Sequence, residues 1–309
     1  MLEPFISVSN LTKTFGKQKA VDGVTFGVAE GEIFGLIGPN GAGKTTIMSC
    51  LVSLLRPDSG MILIDGKPPD DRTVRARCGY LPDLRRIPST SPQYFLELHH
   101  GLAGGNRSKR KEDIEQVLDY VQFDKSHRYS MISKLSKGMR QRLLLAQAIM
   151  CDPDIFFLDE PTTGLDPPGV TMMRGFIMDR KKRGKTIIIN SHHLEELETV
   201  CDGVAFIKAG KITSIDRIKK SGTDDETLRV SWLNEDVDRE TLLRVCAAAH
   251  CNLSSEFENG ATFAVRNRET AAGVIENLLI EEVKVVEARL GKLGLTQLFA
   301  DRMEQDVDQ

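Results

Sequence analysis

Apolar residues follow two kinds of pattern along this chain. Near the start they alternate with polar ones, at Ile6 to Val8 and again at Val21 to Val28 after a Gly-containing turn. Alternation predicts strands with one buried face. Elsewhere they form short unbroken runs: Ile33-Phe34-Gly35-Leu36-Ile37, Ile155-Phe156-Phe157-Leu158 and Ile187-Ile188-Ile189. Runs of that length predict strands buried on both faces. Further strands are expected at 61–64, 78–81 and 203–208, the last ending in a turn at Ala209-Gly210. A helix should start near Gly43 and run to about Leu55, stopped by Pro57. Others are expected over 92–103, 109–122, 136–151, 168–183 and 193–200. The 136–151 helix sets Arg140 and Arg142 opposite a Leu/Ala/Ile face. Strands alternating with helices imply a mainly parallel sheet covered on both sides, an α/β fold.

The pattern changes at Lys219-Lys220-Ser221-Gly222-Thr223-Asp224-Asp225, which reads as a linker. Beyond it, strands at 227–232, 261–267 and 283–289 and helices at 238–250 and 268–281 predict a small α+β domain. A last helix should include Thr296 to Met303, before a frayed acidic tail, Glu304–Gln309. The expected division is 1–222 and 223–309. A length of 309 residues agrees with two domains.

Composition adds exclusions. The chain is 40% hydrophobic and 28% charged, with a net charge of -3, so nothing points to nucleic acid. Six cysteines form no CxxC pair and read as reduced thiols. Cys246, His250 and Cys251 share one helix end but lack a fourth ligand, so zinc is not expected. The N-terminus lacks a basic region and an apolar core of signal length. No apolar run approaches the ~18 residues that span a bilayer, so a membrane role would come through partners.

Chemistry enters at Gly38-Pro39-Asn40-Gly41-Ala42-Gly43-Lys44-Thr45, which fits G-x-x-x-x-G-K-[ST] at every fixed position. Glycines let a backbone wrap a polyphosphate with its N–H groups turned inward. The helix that follows points its positive end at the same anion. Lys44 would reach the β- and γ-phosphates, and the Thr45 hydroxyl would ligate Mg²⁺. Thr46 follows within the candidate ATP-binding set. Downstream, the run from Ile155 ends in Asp159 and Glu160. A buried strand would deliver Asp159 to the metal shell, with Glu160 one residue further out to take a proton from the attacking water.

With these motifs, residues 5 to about 218 resemble an ABC transporter nucleotide-binding domain. Leu135-Ser136-Lys137-Gly138-Met139-Arg140-Gln141-Arg142 is similar to the signature motif, whose commonest form is LSGGQ. Leu158 to Pro167 is similar to the joined Walker B and D-loop segment, and Asn190 to Glu196 to the switch-histidine segment. The resemblance implies a helical subdomain at about 84–150, an antiparallel β subdomain, and a head-to-tail dimer with two ATP molecules at its interface. It implies that Ser136 and Gly138 of one subunit close on the γ-phosphate held by the other. It gives His192 a γ-phosphate contact supporting Glu160, Asp166 a bridge to the opposite phosphate loop, and Phe15 a stack on adenine. His193 falls where the family has an apolar residue and is taken as structural.

Three positions depart from the family pattern. Lys137 and Met139 replace Gly and Gln, a form familiar among exporter ATPases. Asp83 stands in Gly79-Tyr80-Leu81-Pro82-Asp83 where Gln or Glu is usual. One methylene shorter than Glu, it would reach Mg²⁺ through water. Arg85-Arg86-Ile87-Pro88 then occupies the region that meets a membrane partner. The implied protein is an exporter's ATPase of the multidrug, lipid or polysaccharide type. It would be a homodimer on separate permease subunits at the cytoplasmic face of the membrane. The rivals are a soluble ABC-type ATPase and a non-hydrolysing regulator. A regulator would be expected to lose Glu160 or His192, and both are present.

Overall fold

The structure is a computed structural model that describes residues 4–83, 89–192, 197, 199–217, 226–233, 237–257 and 259–291. The expected linker, the Arg85–Pro88 segment, His193, the helix over 296–303 and the acidic tail lie outside the described residues. The chain divides into two compact units, Met1–Ile218 and Lys219–Gln309.

In the first unit the elements run β1 (Ile6–Phe15), β2 (Gln18–Val28), β3 (Ile33–Ile37), α1 (Lys44–Leu51), β4 (Ser59–Ile64), α2 (Arg72–Arg75) and β5 (Cys78–Leu81). Then come α3 (Pro92–Leu102), α4 (Arg110–Tyr120), α5 (Lys137–Ala148), β6 (Ile155–Asp159), α6 (Pro167–Lys182), β7 (Thr186–Ser191), β8 (Gly203–Lys208) and β9 (Lys211–Arg217). Six strands form one sheet in the order β5-β6-β7-β3-β8-β9, parallel except for the antiparallel edge strand β9. Strands β2, β1 and β4 form a separate antiparallel sheet. One core joins them. Ile6, Val8 and Leu11 of β1 share a cluster with Phe34 of β3, Phe157 of β6 and Ile47 of α1. Every residue of β3, β6 and β7 is buried, so polar groups can emerge only at the strand ends.

Helix α1 is shorter than the apolar pattern suggested. Val52 closes it, and Ser53 turns left-handed at φ +58°. Leu54 and Leu55 prolong the apolar run but belong to the turn after it. Strand β9 was not anticipated. Its residues are mostly polar, and it forms because the Ala209-Gly210 turn folds it back against β8.

The second unit runs β10 (Glu226–Trp232), α7 (Arg239–Ala248), β11 (Asn252–Phe257), β12 (Gly260–Val265), α8 (Arg268–Ile280) and β13 (Val285–Gly291). Its sheet, in the order β11-β12-β10-β13, is antiparallel throughout. Leu228, Val230, Trp232 and Phe263 form its core with Leu242 and Val245 of α7 and Val274 and Leu278 of α8. Asp238 caps α7 and Asn267 caps α8, each accepting a backbone N–H three residues on. The polar strand β11 was also unforeseen.

Candidate nucleotide site

Strands β6, β7 and β3 lie side by side, and their parallel course brings three C-terminal ends to one edge. Asp159 stands opposite Asn190, and Leu36 stands opposite Asn190 from the other side. Ligand sites in parallel sheets form at such edges.

The loop after β3 turns at Gly43, where φ is +105°. A Cβ there would lie 2.2 Å from the Ala20 carbonyl oxygen, so the position excludes a side chain. Lys44 is 5% exposed and curls over this loop. Its Nζ donates to Gly38 O at 2.6 Å and Pro39 O at 3.1 Å. Burial lowers its pKa, opposed by the nearby charges of Glu160 and Asp159. The ammonium is therefore within electrostatic reach of both carboxylates at the β6 end.

Thr45 Oγ1 donates to Asp159 Oδ1 at 3.3 Å, and Asn190 Nδ2 donates to the same oxygen. Asp159 is wholly buried, and its Oδ2 has no hydrogen-bond partner among the described residues. Burial pushes this carboxyl up to about 6, with the charges of Asp83 and Glu160 adding to the effect. An orphaned buried carboxylate oxygen beside a threonine hydroxyl fits a hard divalent cation such as Mg²⁺. Asp83, half-buried, is close enough to act on Asp159 through its charge.

Glu160 follows Asp159 in the left-handed region, at φ +49°. Its N–H donates to Asn190 O at 2.9 Å. Its Oε2 accepts His192 Nδ1–H at 2.7 Å. A carboxylate can only accept, so Nδ1 carries the proton and leaves Nε2 free of it in the neutral ring. His192 is 41% exposed and Glu160 largely covered.

The signature residues sit elsewhere on the chain. Ser136 caps α5, its Oγ accepting Met139 N–H at 3.2 Å. Gly138 lies against Gly164, 3.3 Å from that residue's carbonyl for an added Cβ. Asp166 caps α6, accepting Gly169 N–H at 3.1 Å, and takes a 3.3 Å bond from Arg142. Among the described residues neither Ser136 nor Asp166 bonds the phosphate loop of its own chain. Phe15 is 50% exposed, with the Lys13 ammonium 5.8 Å above its ring, so it is not a core phenylalanine.

Sequence comparison agrees with this geometry. The ABC transporter family profile matches residues 21–163. An uncharacterized ABC transporter ATP-binding protein of Bacillus subtilis is 31% identical, over 97% of this chain and 96% of its own length. The chain belongs to the ABC transporter ATP-binding proteins. A Nod factor export ATP-binding protein I of Paraburkholderia xenovorans is 36% identical over 68% of this chain and 70% of its own. A dimeric bacterial ABC transporter cassette shares the fold, with a TM-score of 0.64 at 22% identity, covering 70% of this chain and all of that one.

This cassette is thus an ATP-binding ATPase. Sequence reasoning missed Gln141, which lies between two arginines on a face that reads as solvated. It is 2% exposed, and its Nε2 donates to Pro161 O at 3.0 Å. A signal was present: Gln141, Leu144, Leu145 and Ala148 follow the i, i+3, i+4, i+7 spacing of a buried face, and all four are buried.

Proposed function

We propose that this cassette powers export through a separate permease, by closing and opening a head-to-tail dimer around two ATP molecules. The observation that carries the hydrolytic part is the 2.7 Å contact between His192 and Glu160, one residue past the orphaned Asp159. Glu160 would orient the attacking water and accept its proton. His192 holds the carboxylate by its Nδ1–H and would turn its other edge to the γ-phosphate. Lys44 and the loop N–H groups would hold the β- and γ-phosphates. Thr45 and Asp159, with Asp83 through water, would hold Mg²⁺. When bound, that ion would neutralise phosphate charge as it develops. Ser136, Gly138 and Asp166 would serve the site of the opposite subunit, and Phe15 would stack on adenine.

Export is supported by the likeness to the Nod factor export protein. Among the described residues no helix is long and apolar enough to cross a membrane. A groove of about 500 Å³ fits the permease's docking segment. Leu51, Leu54 and Leu102 line it with Arg72 and Arg75, and among the described residues no carboxylate does. The matching segment would be amphipathic and acidic.

The test compares Mg-ATP turnover of the cassette with that of Glu160→Gln, each also passed over a sizing column with ATP. The variant should be silent yet dimeric with ATP, and the parent's rate should rise with the permease recovered from host membranes. A variant that still hydrolyses removes Glu160 from its role. Turnover indifferent to any membrane partner removes the transport reading.

A further inference from the structure

A buried side-chain amide holds the turn that carries Glu160. Gln141 Nε2 donates to Pro161 O at 3.0 Å and lies 3.5 Å from Glu160 O. Glu160 O also accepts Thr163 N–H at 3.1 Å. A left-handed non-glycine residue is strained and persists only where its surroundings over-determine it. Thr163 fixes this turn from within, and Gln141 fixes it from another helix. With both carbonyls held, the Glu160 side chain leaves the turn toward His192.

The helix that supplies Gln141 is also the one that begins at Ser136. Gly138 lies one turn before Gln141 on α5. Two further α5 side chains grip the same downstream segment. The aliphatic stem of Lys137 covers Gly164, where a Cβ would come within 2.5 Å of its carbons. Arg142 bonds Asp166 at 3.3 Å. The departure from glycine at residue 137 therefore adds a contact within the chain. Helix α5 thus joins the signature residues at its N-terminus to the acid turn at its flank.

We propose that Gln141 is a positioning residue that makes the aim of Glu160 depend on how the signature helix of the same chain is seated. The proposal rests on the two-site reading, in which Ser136 and Gly138 close on nucleotide held by the partner. Nucleotide engaged at one site then seats α5, and Gln141 passes that seating to the acid turn of the other site. The two sites are coupled through one buried amide in each subunit.

The test uses two differently tagged chains purified as mixed dimers, each with one working Glu160. In the first arrangement, Gln141→Met is in the chain with intact Glu160, and the partner carries Glu160→Gln. In the second, both changes are in one chain and the partner is unaltered. Methionine keeps the length of the side chain and loses the N–H donor.

The first dimer should lose about tenfold in kcat, with nucleotide Kd within about twofold of the parent. The second should turn over like a dimer carrying Glu160→Gln alone. Equal loss in both, loss in neither, or loss confined to the second overturns the proposal. Gln141→Asn guards against misfolding of the methionine variant. It keeps an amide drawn back by one methylene, and should show a smaller loss with the same asymmetry. A Glu160→Gln chain that stays monomeric with ATP takes down the two-site reading, and this proposal with it. A dimer that forms without the asymmetry takes down the role of Gln141 alone.

Discussion

The central strands of the first unit's large sheet and strand β10 of the second unit's sheet are buried differently. In the first unit, β3, β6 and β7 are buried along their whole length. In the second, β10 alternates: Leu228, Val230 and Trp232 are buried, while Thr227, Arg229 and Ser231 are partly exposed. Parallel strands covered on both faces can present polar groups only at their ends, and those ends point the same way. Gly38, Asp159 and Asn190 are gathered at one edge for that reason. Antiparallel strands send neighbouring ends in opposite directions and spread polar residues over a face. The same kinds of core thus support concentrated chemistry in one unit and a distributed polar surface in the other.

The sharpest test of this contrast removes one buried ring from each core. Phe157→Ala and Phe263→Ala should each cost about 3–5 kcal/mol, read as a lowered unfolding midpoint by calorimetry. Only Phe157→Ala should also weaken nucleotide binding, because its strand carries Asp159. Equal loss of binding in both variants would break the contrast.

A smaller effect should come from Asp159. Burial raises its pKa from an ordinary 3.8 to about 6. Its contribution to stability is full below 3.8 and is lost as pH rises through about 6, because the folded protein binds the extra proton across that window. Without divalent cations, Asp159→Asn should therefore raise stability at pH 8 by up to about 3 kcal/mol, and by only about 0.5 kcal/mol at pH 4. Denaturant titrations at the two pH values measure this. Turnover should disappear in the variant at every pH.

The smallest effects compare two helix caps. Ser136→Ala and Asp238→Ala each remove a side-chain acceptor from a helix N-terminus, at a cost of about 1 kcal/mol. Turnover should fall in Ser136→Ala alone. If both caps leave it unchanged, Ser136 is structural only.

The fold was legible where apolar runs ended in polar motifs. Ile33–Ile37 and Ile155–Leu158 announced both the central strands and the site at their tips, because a fully buried strand has no other composition. Strands β9 and β11 were invisible for the opposite reason. Their residues, KITSIDR and NLSSEF, are edge sequences held by pairing rather than by burial. Helix α1 was over-read because apolar Leu54 and Leu55 sit in a turn that Ser53 opens. The nucleotide motifs named Lys44, Thr45, Asp159, Glu160 and His192 in advance, and these lie together. Gln141 escaped because its neighbours Arg140 and Arg142 made a buried position look solvated.

The backbone at Glu160 is left-handed. Glycine is the residue that adopts φ +49° most readily. The chain holds a bulky, charged side chain at that position. Thermal robustness and the proposed chemistry therefore pull on one residue in opposite directions. A library of variants ranked only by resistance to heat would tend to enrich glycine at position 160. Its winners would be sturdy proteins that had discarded their motor.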